Sequence, residues 1–104
     1  MKNAEAVLLV KFMSTLSPEE LMKTCEEDLE IFRNVPGLLQ KYYIAEETTG
    51  AISGFYMFET KQDRAAFWKS ELAKNIPTRY GGIPESFRVE LYEMAIVLND
   101  VLLA

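Results

Sequence analysis

The sequence predicts an α+β domain in which four β-strands and two α-helices follow one another in the order βαββαβ. Three observations support this fold class: short apolar runs rich in β-forming residues alternate with helical apolar stripes, a capping signal precedes each helix, and a glycine-containing turn joins the two central strands. This order is that of the ferredoxin-like fold, an antiparallel four-stranded sheet with both helices on one face. We expect residues 1–104 to form a single domain of this kind.

The first strand and the first helix are predicted over the N-terminal third of the chain. Residues 6–13 (AVLLVKFM) form a short apolar run typical of a strand. Ser17 then caps a helix, with Pro18 at its first position and Glu20 three residues after the cap, which makes a capping box. Its predicted buried stripe consists of Leu21, Cys25, Leu29 and Phe32. The helix ends before the Pro36-Gly37 pair.

A hairpin is predicted in the middle of the chain. Residues 38–46 and 51–59 are the second and third strands, and the loop between them ends in Gly50, which can adopt positive φ. Both strands carry bulky apolar side chains on both faces, so the sequence does not determine which face meets the helices.

The second helix and the fourth strand complete the predicted order. Thr60 caps the helix with Asp63 as its partner, and Pro77 ends it. Its predicted buried stripe consists of Ala65, Trp68, Leu72 and Ile76. Residues 86–98 are the predicted fourth strand.

The sheet is expected to be apolar on the face that the helices leave uncovered. The first strand alternates two apolar sets, which are Leu8, Val10 and Phe12 on one face and Val7, Leu9 and Met13 on the other. The fourth strand does the same, with Phe87, Val89 and Leu91 opposite Tyr92, Met94 and Ile96. A large exposed apolar patch usually marks an interface. We therefore expect a homodimer that closes sheet on sheet; the alternative is a monomer with scattered surface aromatics.

Composition excludes several classes of protein. The formal charge of −5 argues against a nucleic-acid partner and against an anionic membrane surface, and no apolar run is long enough to span a membrane. The single cysteine, Cys25, excludes an intrachain disulfide and indicates a reducing, cytoplasmic location. The chain has no histidine, which removes the usual catalytic triads, imidazole metal ligands and a proximal-histidine haem.

Three segments resemble the YdhR-type monooxygenase family. Residues 36–44 (PGLLQKYYI) are similar to that family's P-G-φ-φ-x-K strand, and residues 53–59 (SGFYMFE) are similar to the G-G-φ-Y-φ-F strand that follows it. Residues 67–77 resemble its second helix. Ser53 departs from the pattern, because it stands where the family has the first glycine of its pair.

The resemblance implies membership of the dimeric α/β-barrel superfamily. This superfamily includes cofactor-free monooxygenases of antibiotic biosynthesis, haem-degrading enzymes and small-ligand proteins. It implies a homodimer whose sheets pack back to back, and a cavity in each subunit between the sheet and the helices. Because the chain lacks histidine, the haem-degrading role is disfavoured.

The candidate site is an aromatic, weakly basic pocket between the sheet and the second helix. The predicted ligand-binding residues are Phe12, Tyr42, Tyr56, Trp68, Arg79 and Tyr80. Arg79 or Lys41 is the candidate to stabilise a substrate anion, and a tyrosine hydroxyl is the candidate to relay a proton. We expect Cys25 to be a buried, inert thiol and the carboxylates of the first helix, Asp28 among them, to lie on its polar face. No catalytic residue is assigned, and no metal or cofactor is expected.

Two further functions compete with the monooxygenase hypothesis. The first is a non-catalytic protein that binds a small hydrophobic or aromatic molecule, and the second is a dimeric module for protein association. An RNA-recognition domain shares the βαββαβ order and an aromatic third strand. That class is disfavoured because no basic residue precedes Gly54 and the chain is acidic. The favoured function is cofactor-independent oxidation of a small aromatic or polyketide-like compound.

Overall fold

The computed structural model describes residues 4–98, and its four strands follow the predicted order. They are β1 (Ala6–Phe12), β2 (Leu38–Ala45), β3 (Ile52–Phe58) and β4 (Arg88–Glu93). All three pairings are antiparallel, and the strand order across the sheet is β2-β3-β1-β4. The helices pack on one face of this sheet, so the predicted ferredoxin-like fold is confirmed.

Each predicted helix is divided into shorter helices. The first region contains α1 (Pro18–Glu27) and α2 (Leu29–Arg33), and the second contains α3 (Lys61–Trp68), α4 (Glu71–Lys74) and α5 (Ile76–Arg79). A 3-10 turn, Pro84–Ser86, leads into β4. The predicted caps are correct: the Ser17 side chain accepts from the Glu20 amide, and the Thr60 side chain accepts from the Asp63 amide.

The division of the first helix changes which side chains are buried. Leu21, Cys25 and Phe32 are buried as predicted, whereas Leu29 is 37% exposed. The helix is interrupted at Asp28, so the regular spacing that predicted Leu29 in the stripe does not continue through it. Asp28 itself is buried, and its predicted place on the polar face is wrong.

The second helical region departs from prediction for a similar reason. Ser70 caps a new helix by accepting from the Ala73 amide, which interrupts the 3.6-residue repeat. After this cap Ala73 and Ile76 are buried. Within α3 itself, Phe67 is buried while Ala65 and Trp68 are exposed, so the predicted stripe was placed on the wrong side of this helix.

The predicted helix end and the predicted fourth strand are also corrected. Pro77 lies in the first turn of α5, where its missing N–H leaves no hydrogen bond unmade, so it does not end the helical region. Ser86 belongs to the 3-10 turn, and β4 ends at Glu93, five residues before the predicted end at Leu98.

Strand register determines which side chains meet the helices. Leu8 pairs with Tyr56, and Gly54 pairs with Val10 on one side and Tyr43 on the other. Directly paired residues share a face of the sheet, and Leu8, Val10 and Tyr56 belong to the core cluster with the helices. The opposite face carries Val7, Leu9, Tyr42, Phe55, Met57 and Tyr92. Lys41 and Tyr43 of β2 therefore face the helices, whereas Tyr42 does not.

Candidate active site

Gly54 lies in the wall of a small inner cavity between the sheet and the helices. Because Gly54 has no side chain, the ring of Tyr56 lies against it; a Cβ at this position would be 2.7 Å from Cε1 of Tyr56. The inner cavity has a volume of about 10 Å³, which is room for about one water molecule. Its wall includes Phe12, Cys25, Lys41, Tyr43, Tyr56 and Tyr80.

Lys41 places its amine among aromatic rings at this wall. Its Nζ lies 3.3 Å from the ring centroid of Phe32 and 4.0 Å from that of Tyr43, and the rings of Tyr56 and Tyr80 follow at 4.6 and 5.9 Å. These rings attract the charged form by cation–π interaction. Within residues 4–98 no ion pair includes Lys41. Burial without a paired carboxylate lowers the pKa of Lys41 to about 7, although Cys25 and Asp28 act in the opposite direction.

A partly buried hydrogen-bond network borders the inner cavity. Asp28, at the junction of α1 and α2, accepts from Arg79 Nε at 3.1 Å and Nη2 at 3.0 Å, and from the Tyr80 hydroxyl at 2.8 Å. Burial opposes the charge of Asp28, but these hydrogen bonds outweigh it and hold its pKa below the ordinary value. The network therefore joins the α1–α2 junction to the end of α5 through an ionised carboxylate.

Tyr43 brings an unpartnered hydroxyl to the same cavity. The hydroxyl is buried and has no hydrogen-bond partner among the described residues. The Tyr43 and Tyr80 hydroxyls lie close enough for each to influence the pKa of the other, but they do not meet in hydrogen-bond geometry. Burial raises the pKa of Tyr43 to about 12, so this hydroxyl is a proton donor at neutral pH. An unsatisfied buried polar group costs about 1–3 kcal/mol, which a ligand or a water can recover.

A larger opening lies on the other side of Lys41 and Tyr43. This α2–β2 cleft has a volume of about 250 Å³ and is lined by Leu29, Phe32, Arg33, Leu38, Leu39, Gln40, Lys41 and Tyr43. A β-bulge between Leu38 and Gln40 interrupts the pairing with β3 at this point. Lys41 and Tyr43 line both spaces and so form the wall between the cleft and the inner cavity. The cleft is close in size to small-ligand pockets.

Four of the six residues predicted to bind a ligand come together here. Phe12, Tyr56 and Tyr80 line the inner cavity, and Arg79 reaches it through Asp28. Trp68 is 38% exposed and lies in a separate surface depression beside Phe87 and Val89. Tyr42 lies on the opposite face of the sheet, where its ring packs 6.3 Å from that of Phe55. The structure therefore does not bring Trp68 and Tyr42 to the inner cavity.

Sequence reasoning missed Asp28 and gave Tyr43 no role of its own. One signal for Asp28 was present: it follows Cys25 by three residues and precedes Phe32 by four, which places it within the buried stripe.

Cys25 is buried in the cavity wall as predicted, and burial raises the pKa of its thiol. Over residues 4–98 no cluster of three or more potential metal-binding side chains occurs. None of the helices in this range has the length and apolarity to cross a membrane.

Comparisons with known proteins identify the fold. No protein-family model matches the chain, and a comparison with curated proteins gives no match. A monooxygenase from the gene ActVA-Orf6 of Streptomyces coelicolor, solved with nanaomycin D, is 19% identical with a TM-score of 0.67, and the match covers 94% of each chain. SnoaB, a cofactor-independent oxygenase from Streptomyces nogalater, is 10% identical with a TM-score of 0.64, covering 93% of this chain and 97% of that one.

A third similar structure has no stated function. NE2512 of Nitrosomonas europaea is 15% identical with a TM-score of 0.71, and the match covers 100% of this chain and 99% of that one. The chain has the fold of the antibiotic-biosynthesis monooxygenase-like proteins. At these identities the likeness is one of fold, and the assignment to the YdhR-type branch stays a prediction.

Proposed function

We propose that this protein is a cytoplasmic, cofactor-independent monooxygenase that oxidises a small phenol or enol held against Lys41. The observation that carries the proposal is the Lys41 amine, which stands among four aromatic rings at the wall between the α2–β2 cleft and the inner cavity. Its fold is shared with a monooxygenase and with a cofactor-independent oxygenase.

Lys41 acts as the general base. A phenol has a pKa of about 10 in water and is a weak electron donor until it loses its proton. Burial lowers the pKa of Lys41 to about 7, so its amine is partly neutral at neutral pH and can accept the phenolic proton. The ammonium formed then stabilises the phenolate beside it, in a site where the surrounding rings exclude water.

The substrate supplies all the electrons in this reaction. For 1-naphthol, the phenolate passes electrons to dioxygen and a C–O bond forms at the carbon opposite the phenolic oxygen. The O–O bond then breaks: one oxygen atom remains as the new carbonyl and the other leaves as water, which takes up the carbon-bound proton and the phenolic proton. The products are 1,4-naphthoquinone and water, and no external reductant is required.

The remaining groups bind and orient the substrate. The unpartnered Tyr43 hydroxyl donates to the substrate oxygen, and Leu29, Phe32 and Leu38 of the cleft provide apolar contacts. Arg79 fixes Tyr80 through Asp28. Because the inner cavity admits only about one water, the aromatic ring lies in the α2–β2 cleft of about 250 Å³. A cavity of roughly 150 Å³ holds benzene, so the cleft favours compounds of one or two rings.

Oxygen incorporation tests the proposal. The purified protein is supplied with ¹⁸O₂ and a panel of one- and two-ring phenols that includes 1-naphthol, and the products are analysed by mass spectrometry. We expect one ¹⁸O atom in each quinone, and a loss of at least about ten-fold in rate for Lys41→Met. Lys23→Met, at an exposed position of α1, is the matched control. The proposal would be overturned if Lys41→Met formed labelled quinone as fast as the wild type. It would also be overturned if no phenol of the panel gave labelled quinone.

The same panel distinguishes the monooxygenase from a non-catalytic binding protein. Phenols that raise the unfolding temperature of the wild type but yield no labelled quinone would favour the binding protein instead. In that case Tyr43→Phe is expected to weaken binding, because it removes the unpartnered hydroxyl.

We also propose that a second copy of the chain covers the uncovered sheet face. Leu9 and Phe55 lie side by side in the centre of this face, with Tyr42 next to Phe55 and Tyr92 near the β4 edge. This apolar strip is bordered by Gln40, Lys11, Arg88 and Glu90 on the same face. Sedimentation at micromolar concentration is expected to give twice the chain mass, and Phe55→Lys is expected to shift the protein towards 11.9 kDa. A wild-type mass of 11.9 kDa would contradict the dimer.

A further inference from the structure

We propose that Lys41 is also a nucleophile, whose amine condenses with a one-ring aromatic aldehyde in the α2–β2 cleft to form an imine. This inference uses the same cleft as the proposed monooxygenase, but it requires neither oxygen nor an oxidation step. It assigns a covalent activity to a side chain that the oxygenation uses only as a base.

The position of Lys41 meets the geometric requirements of a nucleophilic lysine. Its Nζ lies close to the rings of Phe32 and Tyr43, and Lys41 lines the α2–β2 cleft, the space in which we place the aldehyde. An apolar pocket that desolvates the amine without pairing it is the environment that activates lysine for imine formation. No ion pair within residues 4–98 holds Lys41 in its charged form.

The protonation state supports the same role. A lysine in water, with a pKa of about 10.4, has only about one amine in 2,500 neutral at pH 7. Burial lowers the pKa of Lys41 to about 7, so about half of its amines are neutral at that pH. The ratio of these two neutral fractions is the most by which Lys41 can exceed a surface lysine in its rate of imine formation at the same aldehyde concentration.

Every ionisable group that faces Lys41 is compatible with a partly neutral Lys41 amine. They are the Cys25 thiol of α1, the Asp28 carboxylate at the α1–α2 junction, the Tyr43 hydroxyl of β2, the Tyr56 hydroxyl of β3 and the Tyr80 hydroxyl after α5, with Arg33 of α2 in the cleft. Cys25 and Asp28 favour the ammonium but do not outweigh burial. Burial raises the pKa of Tyr43 to about 12, so its hydroxyl keeps its proton when Lys41 has lost one.

The condensation balances without an external reagent. The nitrogen lone pair forms the C–N bond, and the carbonyl π electrons move to oxygen, which takes a proton from the Tyr43 hydroxyl. The nitrogen then gives up its two protons, one returning to Tyr43 and one leaving with the oxygen as water. The C=N bond replaces the C=O bond, and nothing is oxidised or reduced. The cleft, at about 250 Å³, exceeds the roughly 150 Å³ that suffices for a benzene ring.

Reductive trapping under nitrogen tests the inference. The protein is incubated with benzaldehyde and sodium cyanoborohydride at pH 7, which converts an imine into a stable benzylamine, and peptide mass mapping locates the benzyl group. We expect Lys41 to be labelled at least about ten-fold faster than the exposed Lys23 and Lys69, with a rate that rises through about pH 7. Labelling of Lys41 at or below the rate of Lys23 would overturn the inference.

Two variants separate nucleophilic attack from general accessibility. Lys41→Arg keeps a cation in the aromatic site and must lose the label at this position. Tyr43→Phe keeps Lys41 and the ring but removes the proton donor, so labelling is expected to slow by about ten-fold while the circular dichroism spectrum stays unchanged. An unchanged rate in Tyr43→Phe would overturn the assigned role of its hydroxyl.

The outcome is independent of the monooxygenase proposal. Because trapping is carried out without oxygen, labelled Lys41 in a protein that forms no ¹⁸O-quinone supports imine formation and contradicts oxygenation. Unlabelled Lys41 in a protein that does form the quinone contradicts imine formation alone.

Discussion

Along the helix-facing side of β3, two aromatic side chains, Phe58 and Tyr56, are followed by Gly54, which has none, and the interior differs between the two ends. At the Phe58 end the side chain is completely buried, and its ring lies 5.6 Å from that of Phe67 and 6.3 Å from that of Tyr56. At the Gly54 end the ring of Tyr56 lies against the bare backbone, and both residues line the inner cavity. The same strand thus forms both the packed and the open part of the domain.

The polar groups of the interior gather at the open end. Asp28, Lys41, Tyr43 and Tyr80 all lie around the inner cavity, where Tyr43 leaves a hydroxyl without a partner. Burying an unpaired amine or hydroxyl lowers the stability of the fold. The aromatic packing around Phe58 provides the stability that compensates for this cost. The comparison therefore separates the part of the domain that stabilises the fold from the part that holds the candidate site.

The largest effect is expected at the packed end. Phe58→Ala removes a fully buried ring from contact with Tyr56 and Phe67, and should lower the free energy of unfolding by about 3–5 kcal/mol. Urea denaturation followed by circular dichroism measures this loss. Phe58→Leu keeps most of the volume and should cost clearly less. Equal losses in the two variants would show that packing at Phe58 is not what stabilises this end.

Local sequence patterns were sufficient for the fold class and for the division of the β1 side chains between two faces. Alternation along β1 correctly placed Leu8, Val10 and Phe12 together, and these three side chains are buried against the helices. The capping signals at Ser17 and Thr60 were correct because a cap depends on residues within one helical turn.

The candidate site was less predictable because it depends on long-range contacts. Asp28 is buried by hydrogen bonds from Arg79, 51 residues later in the chain, and no local rule anticipates that pairing. The face of β2 that meets the helices was undetermined, since both of its faces are apolar, and the bulge between Leu38 and Gln40 adds a shift of register. Lys41 could therefore be proposed as an anion-stabilising group without its aromatic surroundings being foreseen.

An intermediate effect is expected in the hydrogen-bond network of the open end. Asp28→Asn removes the charge that Arg79 and Tyr80 stabilise, and should lower the free energy of unfolding at pH 7 by about 1.5–3 kcal/mol, the range for hydrogen bonds to a charged group. Hydrogen bonds hold the folded-state pKa of Asp28 below its ordinary value of about 3.9, so its contribution is present above that pH and is lost as the pH falls through the folded-state pKa.

Acid titration of the unfolding free energy distinguishes this effect from general destabilisation. The difference between wild type and Asp28→Asn is expected to be constant near neutral pH and to shrink below about pH 4. Glu19→Gln, at an exposed position in the first turn of α1, is the control and should leave the acid limb unchanged. A difference that persists undiminished in acid would mean that the charge of Asp28 contributes nothing.

The smallest effect, and one of opposite sign, is expected at Lys41. Burial lowers its folded-state pKa to about 7, so between that pH and about 10.4 the unfolded chain binds a proton that the folded protein does not, and wild-type stability rises with pH over this range. Lys41→Met removes that dependence. Because burial of the charged amine costs stability that the aromatic rings repay only in part, the variant should be more stable than wild type at about pH 6, and this advantage should fall as the pH rises towards about 10.

Urea denaturation at several pH values, with Lys23→Met as the exposed control, measures the Lys41 effect. A difference between wild type and Lys41→Met that does not vary with pH would show that Lys41 keeps its proton in the folded state. In that case the open end would hold a permanent cation instead of a titratable amine, and Lys41 could serve neither as the base for a phenol nor as a nucleophile for an aldehyde. The pH dependence of one buried side chain thus tests whether the open end of the domain is a reactive site or only a stabilised charge.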